Sequence, residues 1–142
     1  SALPATADAL RYLQAVADLE QTGPALAAPN AYDTALQRWP DQPLALFGKA
    51  NIALRDGQPI VATRLLARLL MQQPGLTPGW NNLAYGLMGS GCRGAAIAAI
   101  DCAIRLDSDN PALLESRTEL VQSPASGTTC PFTDAQLPTC PK

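Results

Sequence analysis

Four cysteines are the residues of this sequence best suited to covalent chemistry. They form two pairs with nine residues between the members of each pair, all in the last third of the chain: Cys92, Cys102, Cys130 and Cys140. A zinc site would need four isolated thiolates to converge, because the sequence has no CxxC spacing and no histidine. Buried free thiols are another alternative. We predict two disulfides, no metal and an oxidising, extracytoplasmic compartment, because Cys130 and Cys140 lie in a polar, proline-rich segment with little core to bury a thiol.

Catalytic constellations are missing from the rest of the sequence. Without histidine, the Ser-His, Cys-His and His-ligated zinc arrangements are excluded within this chain. The 12 acidic residues are scattered over predicted turns and polar helix faces, where capping or a solvated charge is their usual role. The stretch Gly89-Ser90-Gly91 lacks the lysine of a phosphate-binding loop. We therefore expect a protein that is not an enzyme and that uses no cofactor.

Composition narrows the classes of partner. The net charge is -2 and no run of basic residues occurs, so a nucleic acid is not an expected partner. No stretch approaches the roughly 20 apolar residues of a membrane span, so membrane insertion is not expected either. Charged residues are 15% of the chain, below the roughly 25% of typical soluble domains. A partly apolar surface of this kind favours contact with another protein.

An internal repeat organises the chain. Residues of similar type recur every 34 positions, in columns that include Tyr12, Leu46 and Trp80; Val16, Ala50 and Ala84; Leu19, Ala53 and Leu87; Gly23, Gly57 and Gly91; Ala28, Ala62 and Ala96; and Tyr32, Leu66 and Ile100. Each unit has two apolar stretches with helical spacing, joined by a glycine that can adopt a left-handed turn. The columns predict stacked helical hairpins. We expect the following residues to be buried: Tyr12, Leu19, Leu46, Leu66, Trp80, Leu83, Leu87 and Ile100.

This pattern resembles the tetratricopeptide repeat family, and Trp80-Asn81-Asn82-Leu83-Ala84-Tyr85 is its best match. The resemblance implies an all-α solenoid over residues 1–122, with helical hairpins at 9–42, 43–76 and 77–110. Asn110 and Pro111 are typical of a helix start and predict a capping helix at 111–121. Residues 123–142 are predicted to be irregular. Pro29 predicts that the second helix of the first hairpin starts late or kinks.

A second resemblance is carried by Ala35-Leu36-Gln37-Arg38-Trp39-Pro40, Asn51 and Trp80-Asn81-Asn82. These residues are similar to the repeat half of certain bacterial envelope proteins. In those proteins, tetratricopeptide repeats follow a domain similar to bacteriocin-processing cysteine peptidases. The resemblance implies a bacterial, periplasmic protein whose catalytic domain lies outside this sequence.

Helix geometry narrows the pairing of the cysteines. Cys92 and Cys102 fall on one predicted helix, about 15 Å apart, whereas bridged Cα atoms lie within about 7 Å. Either both bond to the tail, or Cys130 pairs with Cys140 and two thiols stay free. The capping helix would run antiparallel to the Cys92 helix, so the tail would emerge near the Cys92 end and could run along that helix. This path favours the pairing of Cys92 with Cys130 and of Cys102 with Cys140. The tail has few apolar groups, and we expect these bridges to hold it along the third hairpin. The concave face of the solenoid, which is described next, would then stay open.

In the tetratricopeptide family, the first helix of each hairpin lines a concave face that binds peptides. By spacing from the core columns, that face would present Phe47, Asn51, Leu54 and Arg55 from the second hairpin; Asn81, Asn82, Tyr85 and Met88 from the third; and Leu13, Gln14, Ala17 and Glu20 from the first. An asparagine amide can donate and accept at once, which suits a peptide backbone. The alternative is that these asparagines are only structural, since paired asparagines after the aromatic residue are frequent in the family.

Asn51 and Asn82 also match the two asparagines of the carboxylate-clamp subfamily, which grips peptide C-termini. Phe47, Ala112 and Ser116, however, occupy the positions of the clamp's cations. A terminal carboxylate would therefore have no counter-charge at those positions.

Three functions are compatible with these observations. The first is a protein-binding or peptide-binding adaptor that uses the concave face. The second is a structural appendage docked on a catalytic, peptidase-like domain of a larger parent protein, in which the groove is filled from within. The third is self-association into a homo-oligomer through the ends of the solenoid.

Overall fold

The structure is a computed structural model that describes residues 9–12, 14–15, 18, 27–124 and 126–142. Six α-helices lie between residues 27 and 122: α1 (Ala27–Arg38), α2 (Pro43–Arg55), α3 (Pro59–Gln72), α4 (Thr77–Gly89), α5 (Arg93–Leu106) and α6 (Pro111–Gln122). Residues 9–12, 14–15 and 18 are also helical, and a 3₁₀ turn lies at Asp134–Gln136. No strand occurs in these described ranges, and the predicted all-α fold is confirmed.

Prolines and capping side chains determine where several helices begin. Pro43, Pro59 and Pro111 stand at the start of their helices, where a missing N–H removes no intrahelical hydrogen bond. The Asn110 side chain accepts a hydrogen bond from the Ala112 N–H at 3.1 Å. The capping helix α6 therefore begins where the sequence predicts and ends one residue after the predicted end.

The turns within the hairpins depend on glycine. Gly57 and Gly91 have φ angles of 72° and 84°, a left-handed conformation that side chains with a Cβ rarely adopt. Gly23, the first member of that column, lies outside the described residues. Helix α1 begins at Ala27 and has 12 residues, against 14 in α3 and in α5. The predicted late start or kink near Pro29 falls at the boundary with residues outside the described ones and stays a prediction.

The second and third hairpins share one apolar core. Leu46, Leu66, Leu83, Leu87 and Ile100 are fully buried. Trp80 is 3% exposed, and its indole N–H donates to the Pro74 carbonyl at 2.7 Å, so the single polar atom of the ring is satisfied. Burial is therefore confirmed for the six predicted core residues of these two hairpins.

Tyr12 corrects one prediction, and Leu19 lies outside the described residues. Tyr12 occupies the same column as Leu46 and Trp80, but it is only half-buried, with its ring 6.0 Å from that of Trp39. The physical reason is its place in the first hairpin, where the described residues provide no preceding hairpin to cover it. Its neighbours form a second, smaller cluster of buried residues: Tyr32, Ala35, Ala45 and Ile52.

The two sides of the solenoid are packed differently. Helix α2 contacts α4, and α4 contacts α6, in addition to the contacts between helices that follow each other along the chain. Between residues 27 and 122, the second helices of the hairpins (α1, α3 and α5) make no comparable contact with one another. We call the side of α2, α4 and α6, where the helices converge, the inner face. The side of α1, α3 and α5, where they diverge, is the outer face.

Two disulfides tie residues 123–142, which we call the tail, to helix α5 and the turn before it. Cys92 pairs with Cys130 and Cys102 with Cys140, at Cα separations of 4.7 Å and 5.8 Å. This is the pairing that the helix geometry favours. Arginines of α5 add hydrogen bonds to backbone carbonyls near both ends of the tail: Arg93 to Val121 and Ser123, and Arg105 to Pro141.

The tail also buries apolar side chains, so its packing adds to the disulfides more than its few apolar groups predict. Phe132 and Leu137 are half-buried and pack against the main core. Phe132 lines one crevice with Met71 of α3, whereas Leu137 lines another, of about 280 Å³, with Trp80 and Ala99. The tail therefore spans the outer face from α3 to α5, across the space that their divergence leaves.

Candidate functional site

One stripe of α2 contributes polar and apolar side chains to the inner face. Leu46 is fully buried and marks the core side of this helix. Helical spacing places Phe47, Asn51 and Arg55, four residues apart, on a neighbouring stripe. Phe47 is half-buried, and so is Leu54, which directly precedes Arg55. Asn51 and Arg55 are exposed. The stripe thus changes from apolar at its N-terminal end to cationic at its C-terminal end.

Hydrogen bonds connect this stripe to α4. The four predicted residues of α4 are all half-buried: Asn81, Asn82, Tyr85 and Met88. The Asn82 Nδ2 donates to Asn51 Oδ1 at 2.7 Å, and the Asn81 Nδ2 donates to Asn82 Oδ1 at 3.3 Å. We call this chain of three side-chain amides the amide ladder. It brings together predicted residues from two hairpins that are 30 and 31 positions apart in the sequence.

The amide ladder has a donor end and an acceptor end. At one end, Asn81 Oδ1 is buried and has no hydrogen-bond partner among the described residues. At the other end, Asn51 accepts through its oxygen, and its Nδ2 group, on an exposed side chain, has no acceptor among the described residues. The hydrogen-bonding capacity that the ladder presents to a ligand is therefore mainly the Asn51 amide donor.

Helix α6 forms a third side of the site, although none of the predicted site residues lies on it. The Tyr85 hydroxyl donates to Glu119 Oε2 at 3.0 Å. Partial burial raises the pKa of Tyr85; Glu119 raises it further, and a hydrogen bond with Ser116 opposes the shift. Glu119 follows Tyr85 by 34 residues and Asn51 by 68, so extending the repeat period beyond the third hairpin would have identified it.

Charge is distributed unevenly over the inner face. Arg55 of α2 has no ion pair among the described residues. On α6, Glu115 and Glu119 are exposed and stand one helical turn apart. The nearby cations Lys49 and Arg117 are already paired, with Asp33 at 2.6 Å and with Asp101 at 2.7 Å. Among the described residues, the charges without an ion pair are therefore positive on α2 and negative on α6.

The first hairpin contributes little that can be described. Leu13, Ala17 and Glu20 lie outside the described residues. Gln14 is exposed, and its Nε2 donates to Asp18 Oδ1 at 3.2 Å, four residues further along the chain. The part of the site that the structure describes therefore comprises the second hairpin, the third hairpin and the capping helix.

Metal-binding clusters and membrane-spanning helices are two features that the described residues do not contain. No group of three or more His, Cys, Asp or Glu side chains is arranged to hold a metal ion in the part of the chain that the structure describes. Within the same part, none of the helices has the length and apolar character needed to cross a bilayer.

No protein-family model and no curated protein sequence matches this chain. Solved structures do match it. One is a mutant of the O-GlcNAc transferase of Thermobaculum terrenum, with a TM-score of 0.76 and 23% sequence identity over 85% of this chain. The match spans only 23% of the transferase chain. The likeness is one of fold, and this chain has a tetratricopeptide-like helical repeat fold.

Proposed function

We propose that this chain is a non-catalytic module that binds a segment of another protein, or a peptide, on its inner face. The contact surface comprises the stripe of α2, the facing side of α4 and the exposed glutamates of α6. Binding requires no cofactor. The paired cysteines favour action in an oxidising, extracytoplasmic compartment such as the periplasm.

The amide ladder is the observation that carries the proposal. Buried polar groups are usually hydrogen-bonded within the protein, whereas an exposed donor is available to a ligand in exchange for water. Here the ladder ends in an exposed donor on Asn51, flanked by half-buried Phe47 and Leu54 on the same helix. Peptide backbones supply carbonyl acceptors, and half-buried aromatic and methionine side chains supply adaptable apolar contact area. This combination suits an extended polypeptide better than a small polar ligand.

The position of the tail also supports the proposal. Its disulfides and its half-buried Phe132 and Leu137 engage α3, α5 and the core between them. The tail therefore restrains the solenoid from the outer face, and the inner face is left to a partner.

Amide substitutions test the proposal. We expect Asn51→Ala or Asn82→Ala to weaken binding of a peptide selected from a random display library by about 1 to 3 kcal/mol, the cost of leaving its polar groups unpaired. Gln72 is an exposed residue of α3, at the outer face, so Gln72→Ala is the matched control and should bind like the parent. Affinities would be measured by fluorescence anisotropy. Equal binding by all four proteins would move the site away from the inner face.

A structural appendage on a larger parent protein is the second candidate. It is compatible with the fold comparison, in which the match covers 23% of a longer chain. In that case a segment of the parent fills the inner face. Photo-crosslinking from position 51 in the parent protein separates the two candidates: the adaptor gives crosslinks to another protein, and the appendage gives crosslinks within the same chain.

Self-association through the solenoid end is a further proposal about partners. The outward side of α6 exposes Leu114 and Val121, seven residues apart on one stripe. Sedimentation velocity over a range of concentrations tests it, with Leu114→Ser expected to remove any dimer that forms.

A further inference from the structure

We infer that the inner face selects protein segments in which an acidic group and a basic side chain are separated by about five or six residues, with the acidic group over α2 and the basic group over α6. This inference rests on the proposed function and specifies the chemistry of the partner. It follows from the direction of the amide ladder, the unneutralised charges and the spacing of the helices.

The α2 side offers donors and a positive charge. The exposed Asn51 Nδ2 is the donor end of the ladder, since its oxygen is already occupied by Asn82. Arg55 lies one helical turn further along the same stripe, exposed and without an ion pair among the described residues. A carboxylate can accept from an amide and from a guanidinium together, so an acidic group complements this pair of side chains.

The α6 side offers acceptors and negative charge. The Tyr85 hydroxyl bonds to Oε2 of Glu119, which leaves Oε1 available. Glu115 stands one turn away, and the described residues place no cation against either glutamate. Arg117 of the same helix is turned to Asp101 at 2.7 Å. A lysine or arginine side chain complements this end, and a second acidic group is repelled there.

The separation of the two ends sets the spacing in the ligand. Helices α2, α4 and α6 contact in succession, and packed helix axes lie about 8 to 10 Å apart, so α2 and α6 are about 16 to 20 Å apart. An extended chain advances about 3.3 Å per residue and covers this distance in about five or six residues. The half-buried Tyr85 and Met88 of α4 lie between the ends and face the middle of the ligand.

A selection experiment tests this inference. Random peptides of twelve residues, displayed on phage, would be selected on the disulfide-intact protein and sequenced. We expect acidic and basic residues to be enriched at a separation of five or six positions. A synthetic peptide from the selection, shortened by three residues between the two charges, should bind about tenfold more weakly because both charges cannot be matched at once.

Charge reversal assigns the two ends. Arg55→Glu should weaken binding of the selected peptide about tenfold and should recover it when the acidic residue of the peptide is changed to lysine. Glu115→Gln with Glu119→Gln should remove the preference for the basic residue while keeping an acceptor for Tyr85. Arg64→Glu, an exposed reversal on α3 at the outer face, is the control and should bind like the parent.

The outcomes separate this inference from the proposed function. Binders without a preferred charge spacing, whose affinity falls with Asn51→Ala but not with Arg55→Glu, would overturn the inference and leave the proposed function standing. A library that yields no binders, or only binders insensitive to Asn51→Ala and Asn82→Ala, would overturn both.

Discussion

The outer and inner faces of this solenoid are stabilised by different kinds of interaction. On the outer face, two disulfides and the half-buried Phe132 and Leu137 hold the tail against α3 and α5. On the inner face, the polar connections are single side-chain hydrogen bonds: Asn82 to Asn51 between the two hairpins, and Tyr85 to Glu119 between the third hairpin and the capping helix. Polar contacts near a surface contribute little net stability and are easily exchanged for contacts with a ligand. Under the proposed function, recognition therefore lies opposite the disulfides that stabilise the tail, and each can be altered separately.

Reduction of the disulfides should have the largest effect on stability. It removes restraints on the outer face and changes no contact of the inner face directly. Each bridge joins cysteines 38 residues apart, which in the chain-entropy model contributes about 4 kcal/mol. We expect dithiothreitol to release the tail first and to lower the melting temperature, while the helical circular-dichroism signal persists at room temperature.

Peptide mapping without reductant, on protein exported to an oxidising compartment, checks the covalent side of this comparison. Links from Cys92 to Cys130 and from Cys102 to Cys140 are expected. Four free thiols, or a link between Cys130 and Cys140, would contradict the account of the outer face and remove its support for an extracytoplasmic location.

Phe132→Ala should have the next largest effect. The ring is half-buried against the core, so its truncation should lower the free energy of unfolding by about 2 kcal/mol. Truncation of a fully buried phenylalanine costs more, about 3 to 5 kcal/mol. Urea denaturation measures the change. Thr129→Ala, an exposed substitution in the same tail, should leave the midpoint unchanged. A midpoint shift as small for Phe132→Ala as for this control would mean that the tail is held by its disulfides alone.

Asn51→Ala should change stability less than either alteration of the outer face. Its side chain is exposed and makes one described hydrogen bond, so we expect a loss of about 0.5 to 1 kcal/mol in urea denaturation. Peptide binding should fall by more than stability does. A loss of stability of about 3 kcal/mol with unaltered binding would reverse the comparison, since the ladder would then be a structural element.

The smallest effect concerns the ionisation of Tyr85. Its pKa is raised in the folded protein, chiefly by burial and also by Glu119, so folding favours the neutral phenol. The resulting stability is present below the unfolded pKa of about 10 and is lost as the pH rises through the folded pKa. The difference in absorbance at 295 nm between the parent and Tyr85→Phe should titrate above pH 10. Glu119→Gln should lower the midpoint only in part, because burial remains.

The repeat period accounts for most of the fold that the sequence could predict. Columns of buried residues such as Leu46 and Trp80 define the hairpins, and the predicted separation of Cys92 and Cys102 along one helix limits how the cysteines can pair. Tyr12 was placed wrongly because a column records the side of a helix but not whether a neighbouring hairpin covers it. The packing of Phe132 and Leu137 was underestimated because the tail has no periodicity from which to read its contacts.

The site was predictable to a similar degree. Spacing placed Asn51 and Asn82 on one face, but their direct hydrogen bond depends on side-chain rotamers that a sequence does not specify. The contact between Tyr85 and Glu119 was missed because the capping helix was treated as a seal for the core. Its polar side continues the inner face by the same 34-residue period.

Side-chain amide resonances offer the most direct test of the inner face as the binding surface. Asn51, Asn81 and Asn82 each carry an NH₂ group that a proton–nitrogen correlation spectrum resolves, and a selected peptide would be titrated into the labelled, disulfide-intact protein. We predict that the Asn51 and Asn82 amide signals shift with the peptide, together with backbone signals of α2, α4 and α6. Shifts confined to α3, α5 and the tail, with these amides unmoved, would contradict it.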